Sequence, residues 1–197
     1  SYDGTTTAAS SDLTISNLVT GETLGLTGNG TVASKNVGSN KSITDVSLTL
    51  TDGSGLASNY TIGTKTLNIT QQAISIDGSK VYDGNTTVAA ANISTLNGLA
   101  LTETLTISGS GTVTAPQVGT NKTVTLGTIA LADGTNGGEA SNYSLASGTF
   151  DVTARPITLS GSRVYDGTTT VANTDLTTFT NIVSGEVLAL TGSGTVA

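Results

Sequence analysis

The sequence predicts an all-β protein of tandem antiparallel β-sandwich-like modules of about 80 residues each. Three observations carry this. Apolar and polar residues alternate in short runs, the period of a half-buried strand. Helical periodicity is nearly absent from a chain dominated by Thr, Ser, Gly and Asn, which are poor helix formers. Long motifs also return at a fixed spacing: Tyr2 and Tyr82 are 80 residues apart, and Tyr82 and Tyr165 are 83 apart.

The strands follow in order. "SLTLT" puts Leu48 and Leu50 on one face, and "TLTIS" does the same with Leu105 and Ile107. "KTVTLGTIAL" and "GTFDVTA" also read as strands, whereas "GSN" at Gly38 and "GTN" at Gly119 read as hairpin turns. Roughly six to eight strands per module are expected from the spacing typical of all-β domains. "VAAANISTL" from Val88 is the one stretch that could hold a short helix, and a β-grasp-like module is the alternative if it does.

The repeats set the domain organisation. "GNGTVAS" at Gly28 returns as "GSGTVTA" at Gly109 and "GSGTVA" at Gly192, and "ASNYTI" at Ala57 returns as "ASNYSL" at Ala140. An alternating run precedes each of the later Tyr-Asp-Gly triplets, in "QQAISIDGSKVYDG" and "ARPITLSGSRVYDG". This phase divides the chain into a first repeat over 1–72 that lacks its opening strand, a complete repeat over 73–155, and a partial one over 156–197. The chain reads as a window on a longer array.

Composition excludes several function classes. With 14 acidic and 7 basic residues the formal net charge is -7, the wrong sign for nucleic acid or an anionic bilayer. No apolar run is long enough to predict a membrane span. The chain has neither His nor Cys, so the commonest general base and the thiolate metal ligands are missing.

The triplets Tyr2-Asp3-Gly4, Tyr82-Asp83-Gly84 and Tyr165-Asp166-Gly167 read as structural joints rather than catalytic sites. All five tyrosines lie in repeated motifs, the other two after Asn in Asn59-Tyr60 and Asn142-Tyr143, and only Phe150 and Phe179 lie outside. A chain this poor in large side chains needs its rings inside, where each removes roughly 150–250 Å² from water. Each triplet ring, Tyr82 among them, and Tyr143 are therefore expected in a module core. The Asp is expected to cap the backbone two residues on, and the Gly to supply positive φ. Lys35, Lys41, Lys80 and Lys122 read as surface lysines.

"KVYDGNTT", "VGTNKTV", "ASNYSL" and "ARPITLSGSRVYDG", in that order, resemble the YDG repeat of bacterial haemagglutinin-type adhesins, exported proteins similar to filamentous haemagglutinin and other two-partner-secretion adhesins. The resemblance implies an extracellular or cell-surface location and a role in adhesion, aggregation or biofilm formation. It implies no catalytic residues and no cofactor.

The expected role is therefore a non-enzymatic spacer whose partners are neighbouring repeats of the same protein, and beyond them host or biofilm glycans. A module that itself binds a glycan or host protein is the alternative, and a carbohydrate-active enzyme ranks last. Among the Asn-x-Ser/Thr sequons, Asn40 and Asn121 sit in predicted turns and are the best glycosylation candidates. Asp133 and Glu139 in "DGTNGGEASN" are the residues a Ca²⁺ ion would use, although the solvated-loop reading is favoured and no spaced calcium motif is present.

Overall fold

A computed structural model of the chain describes residues 1–45 and 47–196. It is all-β, and among the described residues the helical turns are three-residue 3₁₀ segments. The first repeat holds β1 (Thr7–Ala9), β2 (Leu24–Thr27), β3 (Asn29–Val32), β4 (Gly38–Asp45), β5 (Thr49–Asp52) and β6 (Thr66–Ile69). The second holds nine strands: β7 (Gln72–Val81), β8 (Thr87–Ala89), β9 (Ile93–Asn97), β10 (Leu105–Ser108), β11 (Ser110–Val113), β12 (Gly119–Thr125), β13 (Ala130–Asp133), β14 (Tyr143–Leu145) and β15 (Thr149–Thr153). The third holds β16 (Thr158–Ser160), β17 (Thr170–Ala172), β18 (Thr178–Thr180) and β19 (Ser193–Thr195). "VAAANISTL" is not a helix: a 3₁₀ turn over Ala90–Asn92 leads straight into β9. The β-grasp alternative therefore lacks its helix.

The chain forms two compact units. One comprises Ser1–Ile76, Thr95–Gly109 and Ile129–Ala146, and so joins the first repeat to part of the second. The other comprises Asp77–Ser94, Ser110–Thr128 and Ser147–Ala197.

In the first unit the strand order is β1-β3-β4-β6, all antiparallel, and the β2–β5 and β10–β13 ribbons are antiparallel as well. β3 alternates exposed and buried residues, which points Val32 inward opposite Ile43 of β4. Tyr2, Ala8, Val32, Ile43, Leu48, Ile69, Ile74 and Tyr143 form one cluster, with Leu26, Leu105 and Leu131 of the ribbons packed against it. Its apolar members thus come from both repeats.

In the second unit β8, β11, β12 and β15 pair antiparallel in that order, reproducing β1, β3, β4 and β6. Val88, Val113, Val124, Phe150 and Val152 are its buried apolar residues, and Phe150, at 1% exposure, is the one large ring among them. The later half of β7 joins this sheet beside β15, with Phe150 opposite Gly78, and this pairing is parallel. The early half of β7 pairs, also parallel, with β14 in the first unit. Hairpin reasoning from local turns had no way to produce these two parallel pairings, because they join segments some seventy residues apart.

The turns expected at "GSN" and "GTN" are instead bulges inside strands. Register shifts between Gly38 and Lys41 in β4, and between Gly119 and Lys122 in β12. Asn40 and Asn121 take φ of 52° and 53° at these points. The same residue chemistry serves both outcomes, since a hairpin turn and a bulge each need one left-handed residue. Each bulge is pinned from the neighbouring strand: Asn40 N–H donates to Asn68 Oδ1 at 2.7 Å and Asn121 N–H to Asp151 Oδ1 at 2.8 Å. Replacing Asn121 by Val should cost roughly 1–2 kcal/mol, because a β-branched residue resists positive φ, while Asn121→Gly should be close to neutral. Urea unfolding midpoints of the two variants check this.

Candidate functional site: a carboxylate joint between repeats

The triplets form one local structure three times. Asp3, Asp83 and Asp166 each accept, through Oδ1, the backbone N–H two residues on: Thr5 at 2.8 Å, Asn85 at 3.1 Å and Thr168 at 2.9 Å. Gly4, Gly84 and Gly167 take φ of 82°, 81° and 78°. This loop turns the chain out of one strand and into the next.

A basic residue clamps the loop in the later copies. Lys80, only 8% exposed, donates to Asn85 O and Asn85 Oδ1 at 2.9 Å and to Thr87 O at 2.8 Å, and pairs with Asp83 at 2.9 Å. Lys80 is thus not the surface lysine the sequence suggested; its ammonium fills the inside of the loop. Burial pushes the Asp83 carboxyl up, but Lys80 and the Asn85 N–H outweigh it and hold the group below its usual value. Arg163 takes the same place in the third copy, bonding Thr168 O and Thr168 Oγ1 and pairing with Asp166.

The triplet tyrosines differ in burial. Tyr2 is 2% exposed, Tyr82 is half-buried and Tyr165 is 92% exposed. The expectation that each ring lies inside its own module is corrected here. Tyr2 and Tyr82 each bond a glutamate of the repeat that follows.

The covering group is a glutamate that sequence reasoning missed. Glu103 of the second repeat has a side chain only 2% exposed. Tyr2 of the first repeat donates its hydroxyl to Glu103 Oε1 at 2.6 Å, and Tyr143 of the second donates to Oε2 at 2.7 Å. Lys35 of the first repeat pairs with the same carboxylate and lies 5.7 Å from the centre of the Tyr2 ring. The two rings meet edge-on, with centroids 5.4 Å apart. The Tyr143 hydroxyl also accepts the Ala100 N–H at 3.1 Å, in the turn that leads into Glu103.

Polar contacts surround this centre. Asn142, fully buried, accepts the Val37 N–H at 2.9 Å through Oδ1 and donates to Asn36 Oδ1 at 3.1 Å. Asn36 in turn donates to Glu139 Oε2 at 2.8 Å. Every one of these bonds joins the first repeat to the second within one compact unit. Gly4 fits here because a Cβ on it would lie 3.1 Å from Leu101 Cδ1 and 3.2 Å from Ala100 Cβ.

The pieces recur. Glu22, Glu103 and Glu186 each stand six residues before a Gly-x-Gly-Thr-Val run, and they are three of the four glutamates in the chain. That regularity was the signal in the sequence. Tyr60 donates to Glu22 and accepts the Val19 N–H at 3.2 Å, repeating the arrangement of Tyr143. Tyr82 donates to Glu186, repeating that of Tyr2, and a Cβ on Gly84 would lie 2.8 Å from Val183 Cγ1. Asn59, the counterpart of Asn142, is exposed.

The remaining candidates lie apart from the joint. Asn40 and Asn121 are exposed at their bulges. Asp133 Oδ1 is bonded to the Ala140 N–H at 2.7 Å and Glu139 to Asn36, and among the described residues no cluster of three or more acidic groups is placed to hold a metal ion.

The electrostatics fit a structural joint. Burial raises the Glu103 carboxyl, but Lys35 and then the two tyrosine hydroxyls outweigh it and hold the group below its ordinary 4.5. Burial, followed by the hydrogen bond to Glu103, pushes Tyr143 up to about 12 and also raises Tyr2. Lys35 is raised by its bond to Glu103. All the groups thus keep the charge states that bond one another.

Comparison with known proteins adds a family. A sequence family described as the YDG domain matches residues 1–68 and again residues 63–150. No curated protein matches the chain, and no solved structure does.

Glu103→Ala strands Lys35 and two hydroxyls and should cost about 3–5 kcal/mol, whereas Tyr2→Phe, which removes one donor, should cost about 1–2 kcal/mol. Truncation to Ala should hurt in the order Tyr2, Tyr82, Tyr165, as read by calorimetric melting. The melting temperature should also depend on pH at both extremes. The stability from Glu103 is present above its unfolded value of 4.5 and is lost as pH falls through its lower folded value. The stability from the tyrosines is present below 10 and is lost as pH rises from 10 toward 12. A plateau from about pH 5 to 9 with a fall on either side is expected, and Glu103→Gln should reduce the acid-side fall, with a part left from Asp83, which is also held below its usual value.

Proposed function

The chain belongs to the YDG-domain family, and from that membership together with the joint we propose that it is a non-catalytic spacer segment of a large bacterial cell-surface adhesin, supporting adhesion, aggregation or biofilm formation. The single observation behind this reading is the Glu103 joint. Its groups bond one another and are spent on holding one repeat to the next, which is what a load-transmitting array requires. Repeats that share a core and a hydrogen-bonded joint add length by adding copies, with each copy contacting its neighbours. The partners of the segment are then its own neighbouring repeats, and the ligand-binding part of such a protein lies elsewhere.

A glycan-binding module needs exposed rings arranged over a cleft. Phe150 is 1% exposed, and the tyrosines of the joint are spent on carboxylates, so this alternative has few aromatic groups left.

Small-angle scattering checks the spacer reading. A spacer should give an elongated pair-distance distribution whose maximum grows in proportion when a further repeat is appended. A compact distribution that does not lengthen, or saturable binding to specific members of a glycan array, would count against it.

A further inference from the structure

The second and third repeats meet through contacts that only partly repeat those at Glu103. Tyr82 donates its hydroxyl to Glu186, and Gly84 lies against Val183, as Tyr2 meets Glu103 and Gly4 meets Ala100 and Leu101. The ammonium does not recur, because Pro116 and Gln117 stand where Lys35 and Asn36 stand in the first repeat. A different cation is present instead. Arg155, at the end of the second repeat, donates from Nε to Asn181 O at 2.6 Å, from Nη2 to Asn181 Oδ1 at 2.7 Å and from Nη1 to Tyr82 O at 3.4 Å. Asn181, in the third repeat, returns a bond from Nδ2 to Pro156 O at 2.7 Å. All of these residues lie in the second compact unit.

The two sides of this fork differ together between junctions. The counterpart of Arg155 in the first repeat is Gln72, and the counterpart of Asn181 in the second repeat is Gly98. Gln72 reaches its neighbour Ala73 O at 3.4 Å, and Gly98 has no side chain to accept a bond. A Cβ on Gly98 would lie 3.1 Å from Ala73 O, the counterpart of the Pro156 O that the Asn181 amide bonds. Gly98 and Asn181 both take positive φ, 94° and 66°, a region open to Gly and to Asn alike. The backbone therefore does not choose between them. What separates them is the oxygen that Asn offers to a planar guanidinium, whose fork holds two acceptors at once where an ammonium is a single point of charge. Each junction thus receives one cation from its leading repeat: Lys35 on the Glu103 carboxylate at the first, Arg155 on Asn181 at the second.

We propose that Arg155 is a recognition residue for the repeat that follows it, that the partner it fits is a YDG repeat with Asn at the Asn181 position, and that it takes at its junction the part Lys35 plays at Glu103. A repeat with Gly there, as the second repeat has, leaves Nη2 without its acceptor and is disfavoured on this face. The junctions are keyed differently, so the order of the repeats is written in their contact residues. Which repeats pair is set here by side chains alone, whatever the array is used for.

NMR on the intact chain reads closure of the second junction in two ways. One is the nuclear Overhauser contact between Gly84 and the Val183 methyls, and the other is the titration of the Tyr82 ring, which its bond to Glu186 holds above the usual 10. Asn181→Gly recreates the second repeat's residue and keeps the positive φ. It should weaken the contact roughly threefold or more and bring the Tyr82 titration back toward 10. Arg155→Gln should do the same, and the double variant should be no worse than either single change, since the two groups act as one unit. Pro116→Lys, added to the double variant, supplies the kind of cation the first junction uses and should restore both readings. The edge-on contact of the Tyr2 and Tyr143 rings should persist throughout, which shows that the variants fold. Unchanged Tyr82 readings in Asn181→Gly, additive losses in the double variant, or no recovery with Pro116→Lys would each overturn the proposal.

Discussion

One carboxylate organises the first compact unit. Glu103 is buried, and a buried charge is tolerated only when it is paired and its oxygens are hydrogen-bonded. Both conditions are met by residues of two repeats: Lys35 and Tyr2 from the first, Tyr143 from the second. The consequence runs outward from there. Tyr2 is held by its hydroxyl, so its ring fixes the point where the chain enters β1, and the Asp3–Gly4 turn must bring the backbone close to Ala100 and Leu101. Asn142 then ties the following loop at Asn36 and Val37. The joint is therefore a continuous polar seam laid over an apolar cluster to which both repeats contribute.

Much of this was legible in the sequence, and the illegible part has a physical reason. Strands such as β5, β10 and β15 show because period-two alternation is a local property that survives in a short window. The Asp-Gly turn shows because its chemistry is confined to three or four residues. The bulges at Asn40 and Asn121 were mistaken for turns because a left-handed Asn looks the same in both. The parallel pairing of β7 was invisible because it depends on a return of the chain from about seventy residues away. Glu103 and Lys80 were missed for a different reason. A charged residue in a polar chain reads as solvated, and only the recurrence of a glutamate ahead of each Gly-x-Gly-Thr-Val run sets it apart. Burial of a charge is decided by partners, and here those partners are supplied by another repeat.

The three triplets make the same point as a series. Their loops are superimposable in kind, with the same Asp cap and the same positive-φ Gly, yet their rings run from buried through half-buried to exposed. What changes along the series is which groups of another repeat the ring meets. Tyr2 meets both Glu103 and the Tyr143 ring; Tyr82 meets Glu186; Tyr165 meets neither counterpart. Burial of the ring is thus a property of adjacency, whereas the bend beneath it belongs to each copy alone.

A polar seam is an unusual choice where apolar contact would be more stable, since replacing a buried ion pair by packed hydrocarbon is often neutral or stabilising. Apolar faces, however, are permissive in register, and tandem copies of one sequence offer many nearly equivalent ways to stack. A carboxylate that needs two hydroxyls and one ammonium accepts one arrangement and penalises the rest by leaving a buried charge unpaired. The three glutamates share one sequence context, but the ammonium does not recur, since Pro116 stands in the second repeat where Lys35 stands in the first, so the full test of register applies at the Glu103 joint. Stability given up at the Glu103 seam is offset by the apolar cluster beside it, and what the seam contributes is that the first repeat meets the second in one arrangement.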